Sequence, residues 1–122
     1  MDESLPSAPL LQRDVSAFAG TAAGFAVRSR FVIANGMEEE VRAAFRARPH
    51  LVDSAAGFVR MEVLSPQDRP AEIWLMTYWV AQQHYRDWHA SHAYRDSHAG
   101  IPKGLKLVGK ETEIRQLEVI CK

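Results

Sequence analysis

Beyond residue 24 the apolar positions of this chain fall into two kinds of rhythm, alternating and helical, and together they predict six elements. "FAVRSRFVIA", from Phe25, is β-branched and aromatic and reads as a first strand. "NGMEEEVRAAFRARP" then carries Met37, Val41, Ala44 and Phe45 on one helical face. Asn35 is placed to cap that helix, with Glu38 three residues on as in a capping box. Glu38, Glu39 and Glu40 suit the positive end of its dipole, and Pro49 ends it. "GFVRMEVLS" alternates Val59, Met61 and Val63 against Arg60 and Glu62, a second strand, and "PQDRP" is turn chemistry. The next run, "AEIWLMTYWV", must hairpin back as the third strand. A second helical segment extends from about Ala81 toward Ser97 with a bend near Ser91, and "TEIRQLEVI" supplies a fourth strand. The order β-α-β-β-α-β defines an α+β, ferredoxin-like domain over residues 25–122. Residues 1–24 mix Pro, Ser, Ala and Gly without a sustained period and read as a flexible arm.

The third strand carries a second message. Ile73, Leu75, Thr77 and Trp79 face one way while Trp74, Met76, Tyr78 and Val80 face the other, and neither set looks solvated. Two helices cover one face of such a sheet, so something must shield the second. The same face of another copy does so most simply, which predicts a homodimer with sheet packed on sheet.

Composition narrows the function. The 122 residues suit one domain, with 15 basic side chains against 15 acidic. A neutral chain without a basic block argues against nucleic acid or an anionic membrane as partner. The single cysteine, Cys121, cannot staple the fold and suits a reducing compartment. "MDESLPSAPLLQRD" lacks the basic and apolar regions of a signal peptide, and "IWLMTYWVA" is too short to span a bilayer. A cytoplasmic protein is expected.

Candidate chemistry gathers in "DWHASHAYRDSH", residues 87–98. His84, Trp88 and His92 recur every four residues, as do Tyr94 and His98. Trp88 and His98 would stand about 15 Å and roughly 80° apart on one straight helix, so only a bend lets them meet one compact ligand. Zinc is weighed through His89 and His92, but no cysteine lies nearby to complete a ligand set. Ser97 beside His98 is no nucleophile–base pair, since adjacent helical residues do not face each other. Glu62 and Glu72 flank basic partners and are read as ion-paired.

From "RFVIANGMEEEVRAAFRARPHLVDSAAGFVRMEVLSP" through "WLMTYWVAQQHYRDWHASHAYRDSH", the chain resembles the antibiotic biosynthesis monooxygenase domain family. The resemblance covers about residues 25–121 and implies a dimeric α+β barrel with a pocket between the sheet and the second helical segment of each subunit. Two branches bear on function. In the haem-degrading, IsdG-like branch a histidine binds the haem iron, a preceding tryptophan distorts the porphyrin, and an asparagine on the first strand aids oxygen activation. By resemblance the histidine is His98 and the tryptophan Trp88. Counting back from Gly36 puts Ser29 at the asparagine position, a departure that bears on haem degradation more than on haem binding. The other branch oxidises phenolic or quinol substrates without metal or flavin, and there Trp88 and Tyr94 match.

The candidate catalytic residues are therefore Trp88, Tyr94, His98 and Ser29, with haem as the expected cofactor and His98 as its iron ligand. Phe25, Phe31 and Met76 are expected to add apolar walls beside Trp88 and Tyr94. Lys103 and Lys106, in the loop after His98, are expected to meet acidic groups such as propionates. Haem binding, with oxidative degradation as its further consequence, is the leading expectation. The alternatives are metal-free oxygenation of a phenol and a non-catalytic dimeric binding module.

Overall fold

A computed structural model describes residues 23–122 of the chain. Residues 1–22 of the expected arm lie outside the described residues. The arm's last two residues already belong to the fold: Ala23 is buried, and the Gly24 N–H donates to Trp79 O at 3.0 Å.

Four strands, β1 (Phe25–Val32), β2 (Phe58–Leu64), β3 (Glu72–Trp79) and β4 (Glu113–Glu118), form one sheet in the order β2-β3-β1-β4. All pairs are antiparallel, with β1 and β3 central, as the split βαβ order requires. Helix α1 (Glu38–Arg46) follows β1, while α2 (Gln82–His89) and α3 (His92–Ser97) follow β3. Short 3-10 turns at Leu51–Ser54, His98–Gly100 and Gly109–Glu111 complete the connections.

Helix α1 starts from Met37, not from Asn35, and no side chain among the described residues caps it. Asn35 instead joins two loops: its Nδ2 donates to Gly104 O at 2.8 Å, and its Oδ1 accepts the Lys106 N–H at 3.3 Å. Tertiary pairing has taken an amide that local sequence would spend on a cap. The three glutamates still occupy the first turn, where the helix dipole favours them. Val41 is buried with Ile33 and Ile73, and Phe31, Met37 and Phe45 pack on that cluster.

Alternation in β2 is interrupted. Phe58 pairs with Trp79 and Arg60 with Tyr78, so Val59 is the extra residue of a bulge. The bulge brings Phe58 to the face of Trp79, and their rings meet edge-on at 5.5 Å. Trp79 is completely buried, and Tyr85 packs on it from α2 at 5.9 Å. The strand enters from Gly57, whose φ of +77° is left-handed and whose missing side chain leaves room for the His84 ring.

The outer sheet face is less apolar than β3 alone suggests. The Arg28 guanidinium lies 4.8 Å from the Trp74 ring centre and that of Arg60 lies 3.8 Å from the Tyr78 ring centre, cation–π geometry in both cases. Glu72 is buried there, accepting from Arg30 Nε at 2.9 Å and Trp74 Nε1 at 2.6 Å. Arg69 grips Glu111 with two bonds of 3.0 Å, and Arg30 donates to the Glu111 carbonyl. Charge-assisted bonds from Arg30, then the indole N–H, lower the Glu72 pKa to about 2 despite burial. Glu62 accepts from the Tyr78 hydroxyl and neighbours Arg60, so both glutamates are paired as expected.

Candidate functional site

Between the inner sheet face and the helices lies a cavity of about 550 Å³, within the usual range for small-molecule sites. Its floor follows from strand register. Ser29 of β1 sits opposite Leu75 of β3 and Ile114 of β4, and Thr77 sits opposite Val27 and Met61. All of these line the cavity, together with Phe31. Val41, Phe45 and the turn from Arg48 to Val52 form one wall. Tyr85 and Trp88 of α2, Tyr94 and Ser97 of α3, and His98 form the opposite wall. The loop from Gly100 to Leu107 closes the remaining side, and Ile101, Leu107 and Ile114 leave apolar surface exposed there.

Convergence of Trp88 and His98 depends on a break in the second helical segment, close to its expected place. Helix α2 ends at His89 and α3 begins after Ser91. The Ser91 hydroxyl donates to Trp88 O at 2.6 Å and accepts the Tyr94 N–H at 3.1 Å, so one side chain closes the first helix and caps the second. The redirected chain sets Tyr94 among three rings. Trp88 meets it edge-on at 6.0 Å, His98 at 4.5 Å and 70°, and His89 at 4.5 Å. Such contacts restrict the rotation of the rings that line the cavity.

His98 has a defined tautomer. Its Nδ1 lies 2.8 Å from the Tyr94 carbonyl oxygen. A carbonyl only accepts, so Nδ1 carries the proton and in the neutral ring Nε2 keeps its lone pair. A backbone bond to the far nitrogen is also how metal-binding histidines are oriented. Burial, and then the nearby Tyr94, push the Tyr85 phenol above its ordinary pKa, so its hydroxyl stays protonated at neutral pH.

Of the residues expected at the site, Ser29, Phe31, Trp88, Tyr94 and His98 line the one cavity. Four expected residues do not. Met76 has the opposite parity and pairs with Arg28 and Glu62 on the outer face. Phe25 packs against Tyr85 at 6.0 Å, behind the wall. Lys103 and Lys106 are exposed and outside the lining, and Lys106 is engaged through its backbone. Among the described residues, the permanent cation at the cavity is Arg48, from the turn after α1, with His50 beside it. The sequence signal was the triplet Arg48-Pro49-His50, which reads simply as a helix stop. Among the described residues, no three His, Cys, Asp or Glu side chains cluster as a metal site.

The family model for antibiotic biosynthesis monooxygenases matches residues 24–100. Among curated proteins, none matches the chain. Among solved structures, the haem-degrader MhuD of Mycobacterium tuberculosis, with two haems bound in its active site, superposes with a TM-score of 0.66 at 20% identity. That superposition covers 80% of this chain and 97% of MhuD. SnoaB of Streptomyces nogalater, a cofactor-independent oxygenase, gives 0.65 at 17% identity, covering 83% of this chain and 97% of SnoaB. A protein from Shewanella oneidensis gives 0.61 at 16%, covering 81% and 93%. At these identities the likeness is one of fold.

Proposed function

The chain belongs to the antibiotic biosynthesis monooxygenase family, and from that footing we propose that its cavity binds a flat aromatic ligand, haem foremost, for oxidation. The observation that carries this reading is His98: a cavity-lining imidazole whose Nδ1 is committed to the Tyr94 carbonyl and whose Nε2 lone pair is left to ligate iron. Trp88 and Tyr94, crossed edge-to-face, supply a rigid aromatic wall, with Phe45 across from it and Phe31 and Leu75 as apolar parts of the floor. Bound haem would supply the iron at which dioxygen is activated, with electrons from an external reductant. Ser29 offers a single hydroxyl from the floor, able to donate one hydrogen bond toward a bound ligand.

Ser29 also favours a second reading. With a hydroxyl where the haem-degrading branch has an amide, the cavity suits metal-free oxygenation of a phenol held between Trp88 and Tyr94, and SnoaB, of like fold, is a cofactor-independent oxygenase. The non-catalytic binding module shares the cavity and differs only in turnover.

The domain is proposed to work as a homodimer through the outer sheet face, where Trp74 and Met76 are half-buried and Leu64 is exposed. Sedimentation showing single chains at micromolar concentration would remove that part.

Haemin titration tests the main reading. Saturable binding with a Soret shift is expected in the wild type and is lost in His98→Ala. An unshifted wild-type spectrum would overturn haem as the ligand, and oxygen uptake with a panel of phenols then tests the second reading.

A further inference from the structure

We propose that Arg48 and His50, aligned by Asp53, form a recognition corner for a carboxylate carried by the cavity's ligand. The inference rests on the reading that the cavity takes a small, flat, apolar ligand, and it adds where that ligand's charged end must lie.

The lining is mostly apolar, and among the described residues Arg48 is its permanent charge. Among the described residues, no Asp, Glu or Lys lines the cavity. The Asp53 carboxylate engages one end of the Arg48 guanidinium, whose remaining N–H donors can take a second anion presented from the cavity side. Guanidinium geometry suits a carboxylate, which accepts two parallel N–H bonds from the planar fork. Arg48 is only partly exposed, so its side chain is held and not sweeping through solvent.

The corner is organised from behind. Asp53 accepts from Arg48 Nη1 on one oxygen at 3.0 Å and lies 3.2 Å from His50 Nδ1 on the other. Since the carboxylate only accepts, His50 donates through Nδ1. Burial pushes the Asp53 pKa up, but the bonds from Arg48 and His50 outweigh it and hold the group ionised below its usual range. Among the described residues Arg48 uses only Nη1, which leaves Nη2 and Nε as donors. His50 itself has φ +59°, a left-handed conformation that residues with a side chain seldom adopt. Strain of this kind persists where the surroundings impose it, here through the Asp53 bond and the following 3-10 turn. Asp53 is thus a positioning residue, and Arg48 with His50 would touch the ligand.

The test pairs each acid with its neutral ester: haemin with haemin dimethyl ester, and 1-pyrenecarboxylate with its methyl ester. The wild type is expected to bind each acid more tightly than its ester. Arg48→Met is expected to weaken the acids about ten-fold or more while leaving the esters within about two-fold, the loss typical of a charged hydrogen bond. Arg48→Lys should recover part of the preference, and His50→Gln should lower it less. His98→Ala, by contrast, weakens haemin and its ester alike. If haemin and its ester fail to bind but Arg48 still discriminates the pyrene pair, the haem reading falls and this one stands. Equal binding of acid and ester by the wild type, equal loss of both in Arg48→Met, or no binding of any probe overturns the proposal. Should Arg48→Met not fold, the acid-to-ester ratios of wild type, Arg48→Lys and His50→Gln decide the matter.

Discussion

Trp88 and His98 stand ten residues apart, yet both line one cavity because Ser91 ends the helix between them and starts another. Removing the hydroxyl takes away a cap and leaves the Tyr94 N–H without its acceptor. Ser91→Ala is expected to lose about 1 kcal/mol of stability, within the ordinary range for a lost N-cap. It should also weaken haemin binding with every cavity-lining side chain still present. Urea unfolding and a haemin titration on the same variant check both halves.

Glu72 ties acid stability to the outer face. Its carboxyl titrates near 4.5 when unperturbed and at about 2 in the fold, so on acidification the unfolded chain takes up the proton first. The stabilisation is fully present above about pH 4.5 and fades as the pH falls toward 2. Glu72→Gln removes that titration. The stability difference between wild type and variant should therefore shrink across this window and stay constant above pH 5. A constant difference down to pH 2 would contradict the assignment.

Gly57→Ala combines two penalties that a second substitution can separate. The new methyl collides with the His84 ring, and the left-handed φ of +77° strains any residue with a side chain. In a His84→Gly background the ring and its Cβ are both removed, so the collision is gone and the backbone penalty of about 1–2 kcal/mol remains. A double-mutant cycle read by thermal unfolding should show a coupling of about 1 kcal/mol or more, as contacting residues do.

Ile73 is 1% exposed and joins β3 to α1 through Val41 and Ile33. Ile73→Ala is expected to lose about 2–5 kcal/mol. Ile120 is 89% exposed, and its alanine variant should stay within about 0.5 kcal/mol of wild type. Equal effects at the two positions would refute the proposed core.

The elements were legible because period-2 and period-3.6 patterns were both strong, and the β-α-β-β-α-β order left little choice of sheet. The break near Ser91 was legible too, since a serine between two aromatic stretches offers both a stop and a cap. What failed was decided by partners distant in sequence. Asn35 looked like a cap until the loop at Gly104–Lys106 arrived as its competitor. Strict alternation in β2 could not show that Val59 is an extra residue, because a bulge appears only against the partner strand. Lys103 and Lys106 were favoured for lying just after His98. The cation that lines the cavity comes instead from Arg48, fifty residues earlier. Met76 failed by parity alone, one position from Leu75 and Thr77 on the opposite face.

The two helices on either side of Ser91 hold only 8 and 6 residues, too few to persist alone in water. Their order is borrowed from the rings beneath them, whereas β1 and β3 are locked on both sides by neighbouring strands. The wall over the cavity is therefore expected to loosen while the sheet stays intact, which would let a guest enter and leave without the domain unfolding. Amide exchange should show that separation directly, fast across residues 82–98 and slow across the central strands, with a bound guest slowing the first set selectively.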